Sequence, residues 1–276
     1  MTIPNITLNN GVAMPQLGYG VFQVPDDETE AAVTAALEAG YRSIDTAAVY
    51  GNEAGVGRAL AKSGIAREEL FITTKLWNSD HERPVEAYEK SLELLGLDQV
   101  DLYLIHWPTP ARDLYVGAWQ GLEELYAAGR TRAIGVSNFL PEHLDRLAKE
   151  SEIVPAINQI ELHPSYQQRE LTALCRERSI AIAAYSPLGQ GHDLDLPVLA
   201  SIAGTHDVTP AQVVLRWHLH QGHLIIPKSV APERIRANFD LGGFELTDEE
   251  IASITAAESG HRIGNDPRTF ALSQIR

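Results

Sequence analysis

The stretch Ser43-Ile44-Asp45-Thr46-Ala47-Ala48-Val49-Tyr50-Gly51-Asn52-Glu53-Ala54-Gly55-Val56-Gly57 holds a short apolar run that ends in an acid, a loop that carries a phenol, and the start of a helix. It reads as one strand-to-helix unit in which Asp45 and Tyr50 can face the same space above the strand. The next two apolar runs end alike: Phe71-Ile72-Thr73-Thr74 closes on Lys75, and Val100-Asp101-Leu102-Tyr103-Leu104-Ile105 closes on His106. Three successive strand-like segments ending in ionisable residues are the pattern of a parallel barrel, whose chemistry sits at the C-terminal ends of its strands.

Outward from that stretch, strand-like runs begin near Leu17, Ser43, Phe71, Val100, Thr131, Ala156, Ala181 and Leu224, mostly about 25 to 31 residues apart, which is the spacing of strand–helix units with parallel pairing. Helical segments are predicted near 53–63, 85–96, 113–128, 141–150, 168–179, 210–221 and 232–239. Another follows the acidic turn Pro25-Asp26-Asp27-Glu28 and stops at Gly40. The longer interval before Leu224 leaves room for an extra helix near 197–203. Eight units favour an α/β fold of the closed (β/α)8 TIM-barrel type over a doubly wound sheet. Residues 5–14 read as an N-terminal β-hairpin over one barrel end, with Ile6 and Leu8 answered by Val12 and Met14 around a type I′ turn at Asn10-Gly11. The expected organisation is one barrel domain over residues 1–276.

At 276 residues, 44% hydrophobic and 21% charged, the chain can bury a large core. No apolar run approaches the roughly 20 residues of a membrane span, and Met1-Thr2-Ile3-Pro4-Asn5 lacks the features of a signal peptide, so a cytoplasmic protein is expected. The net charge of -15 argues against nucleic acid or an anionic membrane as partner. It leaves room for a small anion held by a local basic cluster. The single cysteine, Cys175, falls in a helical pattern and reads as packing. Gly51, Gly55 and Gly57 match neither a dinucleotide fingerprint nor a P-loop and read as close packing of a helix on the barrel. No Cys/His spacing suggests a metal. His218, His220 and His223 read as surface or core histidines.

If Asp45, Tyr50, Lys75 and His106 converge at the barrel mouth, they can deliver a proton. A tyrosine, with an ordinary pKa of about 10, is a donor at neutral pH, and a lysine ammonium beside it would draw that value down. Asp45 would hold Lys75 charged, and His106 could orient a carbonyl oxygen toward the phenol. Such a set protonates an oxygen that gains charge when its carbon accepts hydride. Singly, each residue has an ordinary explanation as a strand-end or loop polar group; jointly, complementary roles on successive strands point to a site. The far strands offer a place for a hydride donor. Ser137, Asn138 and Gln159 suit a carboxamide, Tyr185 could stack on a flat ring, and Lys228-Ser229 with Arg234 make a seat for a phosphomonoester at a helix start.

At these residues the chain resembles the aldo-keto reductases over nearly its whole length. The resemblance is carried by Gly40-Tyr41-Arg42-Ser43-Ile44-Asp45-Thr46-Ala47 with Tyr50-Gly51-Asn52-Glu53, by Phe71-Ile72-Thr73-Thr74-Lys75-Leu76-Trp77, by Asp101-Leu102-Tyr103-Leu104-Ile105-His106-Trp107-Pro108, by Ile134-Gly135-Val136-Ser137-Asn138-Phe139 and by Ile226-Pro227-Lys228-Ser229. The short loops, with Gln159-Ile160-Glu161-Leu162-His163-Pro164 and Pro187-Leu188-Gly189-Gln190-Gly191, look most like the bacterial 2,5-diketo-D-gluconate reductase group. The resemblance implies NADPH bound without a Rossmann fold, Tyr50 as general acid, and Asp45, Lys75 and His106 completing a catalytic tetrad. It implies further that Ser137, Asn138 and Gln159 hold the nicotinamide amide, that Tyr185 stacks on the ring, and that Ser186, Leu188 and Gly189 wrap the pyrophosphate. Lys228, Ser229 and Arg234, flanked by Ile226 and Val230, match the 2′-phosphate site, and Asn238 matches an adenine contact. Ala237 departs from the Glu often found there, which puts one adenine hydrogen bond in doubt.

Phe22, Trp77 and Trp107 match substrate-pocket positions around His106, and the short loop after His106 with a modest tail predicts an open mouth, with the polar tail that ends in Phe270-Ala271-Leu272 either folding over it or fraying. The expected substrates are small carbonyls: keto sugars, α-dicarbonyls such as methylglyoxal, or aromatic aldehydes. A monomer is expected. Two other readings stay open at this point, a Schiff-base lyase using Lys75 and a non-catalytic dinucleotide-binding subunit.

Overall fold

The computed structural model describes residues 3–272. Met1 and Thr2, part of the stretch read above for a leader, lie outside it, as do residues 273–276. A hairpin of β1 (Asn5–Thr7) and β2 (Ala13–Pro15) comes first. Eight barrel strands follow: β3 (Tyr19–Gly20), β4 (Ser43–Asp45), β5 (Phe71–Leu76), β6 (Val100–Ile105), β7 (Thr131–Ser137), β8 (Ile157–Glu161), β9 (Ala181–Tyr185) and β10 (Leu224–Ile225). They pair in parallel, each with its sequence neighbour. The ring closes where Gly18 N donates to Ile225 O at 2.8 Å and Ile225 N to Gln16 O at 2.9 Å. Gly20 is needed there, because a Cβ would meet Ile226 O at 3.0 Å. The sheet is thus a (β/α)8 barrel, as the strand spacing predicts.

The outer layer is α1 (Asp26–Ala39), α2 (Glu53–Lys62), α3 (Pro84–Leu95), α4 (Tyr115–Ala127), α5 (Pro141–Glu150), α6 (Arg169–Glu177), α7 (Pro197–His206), α8 (Pro210–His220), α9 (Pro232–Phe239) and α10 (Asp248–Thr255). The extra helix before β10 is α7. Sequence reading passes over α10, although Thr247 and Glu250 form a reciprocal capping box that announces it. Gly55 and Gly57 do pack closely, but against helices rather than strands: a Cβ on Gly57 would meet Leu95 O at 2.4 Å, and one on Gly55 would meet Asp26 O at 2.8 Å. Among the described residues no helix is long and apolar enough to cross a membrane.

Strand residues alternate between two cores. Ile44, Ile72, Tyr103, Ile105, Ile134, Val136, Ile160, Ile182 and Ala184 pack outward beneath the helices. The opposite set, including Phe71, Leu102, Leu104, Ala133, Ile157, Ala183 and Leu224, fills the lower lumen together with Leu8 and Met14 of the hairpin. The hairpin therefore plugs the bottom. Its turn differs from expectation. A type I′ turn needs positive φ at both central residues, but only Gly11 has it (φ 85°). With Gly11 N on Leu8 O at 2.9 Å and Leu8 N on Val12 O at 2.8 Å, the loop has three residues, Asn9 to Gly11.

Candidate active site

Continued upward, the inward alternation changes character. Above Phe71 and Thr73 comes Lys75, above Leu102 and Leu104 comes His106, and above Ala133 and Gly135 comes Ser137. Asp45 crowns β4, Gln159 and Glu161 crown β8, and Tyr185 crowns β9. That these point inward is seen from one contact: β4 and β8 are four places apart in the eight-strand ring, yet Gln159 Nε2 reaches Asp45 Oδ2 at 2.8 Å across the lumen.

The sequence-nominated four are brought together. Lys75 is fully buried and donates to Asp45 Oδ1 at 2.5 Å and to Thr46 O at 2.8 Å. Its ammonium lies 5.1 Å from the centre of the half-buried Tyr50 ring, and the His106 ring stands edge-on to Tyr50 at 5.6 Å. Burial pulls Lys75 below its ordinary value, and the Asp45 carboxylate opposes that pull. Burial, joined by the Lys75 charge, holds His106 well below the usual histidine value, so the imidazole is neutral at pH 7. Its buried Nδ1 has no hydrogen-bond partner among the described residues.

The expectation that Lys75 draws the Tyr50 phenol down is corrected. Burial dominates and pushes it well above 10, with Asp45 and Tyr185 acting the same way. The result is a phenol that keeps its proton at neutral pH.

On the far strands, Ser137 Oγ donates to Gln159 O at 2.8 Å, and Asn138 Nδ2 donates to His106 O at 3.0 Å and to Ser137 Oγ at 3.1 Å. The Tyr185 hydroxyl donates to Asn138 Oδ1 at 2.7 Å. Ser137, Asn138 and Gln159 are buried, and Tyr185 is half-buried above them. The backbone here is held in uncommon conformations, with Asn138 at φ 63°, Ser186 at φ 47° and Gln190 at φ 51°. Such conformations cost about 1–3 kcal/mol each and persist only where the surroundings impose them. Leu188 is half-buried and Gly189 buried, opening the segment Gly189–Asp195.

After β10, Ile226 is buried and Val230 exposed. The Lys228 side chain is exposed, Ser229 is buried, and Arg234 is exposed on α9 with Asn238 buried one turn on. Ser229 Oγ accepts from Ala231 N at 3.2 Å at that helix start, and Tyr19 donates to Ser229 O at 2.5 Å. Lys228 and Arg234 make no ion pair with another described residue. Two unpaired cations beside a fixed hydroxyl, with amides and a ring at the other end, fit an extended dinucleotide carrying a phosphomonoester.

The aromatic positions divide. Phe22, 46% exposed, packs on Tyr50 at 5.2 Å, and Trp77 stands 5.2 Å from His106. Trp107 lies under Phe270 of the C-terminal tail, 4.4 Å between rings, and Phe270 also meets Trp77 at 6.3 Å. An open mouth is therefore corrected on this side, since the tail folds over it. Sequence reading leaves the tail that ends in Phe270-Ala271-Leu272 either folded over the mouth or frayed, and the structure folds it over. Cys175 is buried with its thiol pushed up to about 11 by burial, consistent with packing. His218 and His223 are buried and paired through Nδ1 atoms 3.2 Å apart, while His220 is exposed.

Comparison with known proteins adds a second line of argument. The model of the "Aldo/keto reductase family" matches residues 10–259. The chain is 54% identical over 269 residues to an aldo-keto reductase of Mycolicibacterium smegmatis, covering 97% of this chain and 98% of that one. It is 52% identical over 267 residues to the methylglyoxal reductase DkgA of Escherichia coli, covering 96% and 97%. Among solved structures it is similar to a mutant of Gox0644 in complex with NADPH, with a TM-score of 0.94, 44% identity, and coverage of 98% and 99%.

Proposed function

Since the chain belongs to the aldo/keto reductase family, we propose that it reduces small aldehydes and ketones, keto sugars and α-dicarbonyls such as methylglyoxal among them, with Tyr50 as general acid. It is an NADPH-dependent oxidoreductase, and the dinucleotide supplies the hydride. Ser137, Asn138 and Gln159 would hold the carboxamide and Tyr185 would face the ring. Ser186, Leu188 and Gly189 would lie along the pyrophosphate, Lys228, Ser229 and Arg234 with Ile226 and Val230 would take the 2′-phosphate end, and Asn238 the adenine. Neutral His106, with its proton on Nε2, donates to the carbonyl oxygen and aims it at the phenol. Tyr50 gives its proton to that oxygen as negative charge develops there. Lys75, fixed by Asp45, supplies positive charge near the phenolate that results. Phe22, Trp77 and Trp107 line the approach.

The observation that carries this reading is the ion pair Lys75–Asp45 beneath Tyr50, with neutral His106 beside it. It also favours reduction over Schiff-base chemistry, because a lysine tied to a carboxylate and a carbonyl at 2.5 and 2.8 Å is a poor nucleophile. The test is to mix the protein with NADPH and methylglyoxal and follow the absorbance of the reduced nicotinamide. Turnover is expected; cofactor binding with no turnover over a broad carbonyl panel would sink the proposal, and borohydride trapping on Lys75 would favour the lyase.

A further inference from the structure

Beyond the mouth, the structure holds a buried charged cluster that the proposed chemistry does not use. His163 is fully buried between two carboxylates: Nδ1 lies 2.9 Å from Asp193 Oδ2, and Nε2 lies 3.1 Å from Glu161 Oε1. Asp193 belongs to Gly189–Asp195, the segment that follows Ser186 and Leu188. Ser165 holds Asp193 as well, its N donating to Oδ2 at 3.0 Å and its Oγ to Oδ1 at 2.6 Å, and the exposed His192 has Nδ1 3.5 Å from Oδ1. Glu161 turns the opposite way and receives the tail: Ile263 N donates to Oε1 at 2.6 Å and Gly264 N to Oε2 at 2.7 Å.

Ser165 is also two-sided. While its N and Oγ hold Asp193, its carbonyl oxygen accepts from Ser259 N at 3.1 Å and His261 N at 3.2 Å. A third link runs over the surface, where the His192 ring stacks on His261 at 4.4 Å with planes 21° apart. The segment 161–165 therefore stands between Gly189–Asp195 and residues 259–264, bonded to both. From 264 the tail runs on to Phe270, which covers Trp107.

We propose that residues 161–165 form a splice joining the dinucleotide-side segment Gly189–Asp195 to the C-terminal tail, with His163 as its central positioning residue, so that dinucleotide release and opening of the tail over the substrate mouth are one coupled motion. This rests on the reading that Ser186, Leu188 and Gly189 lie against the dinucleotide. The cluster is suited to hold rather than to react. Burial alone would depress His163, but the hydrogen bonds and charges of Asp193 and Glu161 hold it up at about 9, so at pH 7 an imidazolium sits between two carboxylates. The other titratable groups around it are Tyr166, with its ring 6.1 Å away, Arg262 on Tyr166, Tyr185 near Glu161, His192 beside Asp193, and neutral His218. Breaking any one link leaves a buried charge short of a partner, so the ends should move together.

Gly264→Ala tests the splice from its far end. A Cβ there would meet Glu161 Oε2 at 2.6 Å, displacing a carboxylate that the tail and His163 share, at a half-buried position with ordinary backbone. His163→Gln, which can reach only one carboxylate, tests the centre. Two readouts apply: the rate of NADPH release by stopped-flow fluorescence, and backbone hydrogen exchange at residues 259–264 with and without saturating NADPH. In the wild type, NADPH is expected to slow exchange at those tail amides. Both variants are expected to release NADPH roughly five- to twentyfold faster, the loss of one or two charge-assisted hydrogen bonds, and to lose that protection. A Gly264→Ala protein whose tail exchanges faster while NADPH leaves at the wild-type rate overturns the splice. A wild-type chain that binds no NADPH at all removes instead the functional reading on which it stands, and the splice with it.

Discussion

Both oxygens of Asp45 are committed, Oδ1 to the Lys75 ammonium and Oδ2 to the Gln159 amide. A buried ion pair that loses one member costs about 3–5 kcal/mol, because the charge left behind has no water. Lys75→Met and Asp45→Asn are therefore poor probes of chemistry, since they disturb the fold as well. Tyr50 is the cleaner one. Its hydroxyl makes no hydrogen bond to another described residue, so Tyr50→Phe should leave thermal stability and NADPH affinity close to wild type. The reduction rate should fall by roughly 10²- to 10⁴-fold, the usual worth of a positioned proton donor. Steady-state rates paired with a fluorescence titration of NADPH decide this; comparable activity in the variant would take the acid role away from Tyr50. Asp45, Lys75 and His106 were legible in the sequence because each closes its own strand on the inward alternation. The Gln159–Asp45 bond was not, because it spans 114 positions and depends on barrel closure.

Among the elements, the turn after β8 shows the same limit. Gln159 to His163 reads from sequence as a strand end with a cofactor amide. That Glu161 and His163 lock two later segments together needs the tail and Asp193 in place, and no local periodicity encodes either. The hairpin fails at a finer level, since Asn10-Gly11 serves a two-residue or a three-residue loop and only the strand register selects between them. The locked turn has a pH signature. His163 titrates near 6.5 in an unfolded chain and at about 9 in the fold, so its stabilisation is complete below about pH 6.5 and is lost as pH rises through 9. Glu161 and Asp193 are shifted down, so their contribution is present above the ordinary carboxylate range and lost on acidification. Between pH 7 and 9.5 the wild-type melting temperature should drop by on the order of 5 °C, at about 2–4 °C per kcal/mol. His163→Gln should show a visibly smaller drop, and parallel curves for the two proteins would contradict the assignment.

For the whole molecule, the net charge of -15 meets a polyanionic cofactor. Fifteen unit charges acting at the radius of gyration of about 19 Å expected for this length give at most roughly 3 kcal/mol per unit charge in water before screening, since the surface lies farther out. A surface cation at about 4 Å returns about 4 kcal/mol but only at contact, so at low salt an approaching dinucleotide meets the long-range repulsion before Lys228 and Arg234 can act. The Debye length shrinks from about 30 Å at 0.01 M to about 10 Å at 0.1 M, which removes most distant carboxylates while sparing close contacts. NADPH should therefore associate faster at 0.1 M than at 0.01 M salt, the reverse of an attractively steered ligand. Once bound, the local cations dominate. Arg234→Ala should weaken NADPH by roughly tenfold or more, the loss of a charge-assisted contact, and leave NADH within about twofold, since NADH lacks the 2′-phosphate. Titrating both cofactors against wild type and variant at fixed salt separates the two effects. Equal losses for NADPH and NADH would show that Arg234 supports the corner's shape rather than binding its phosphate.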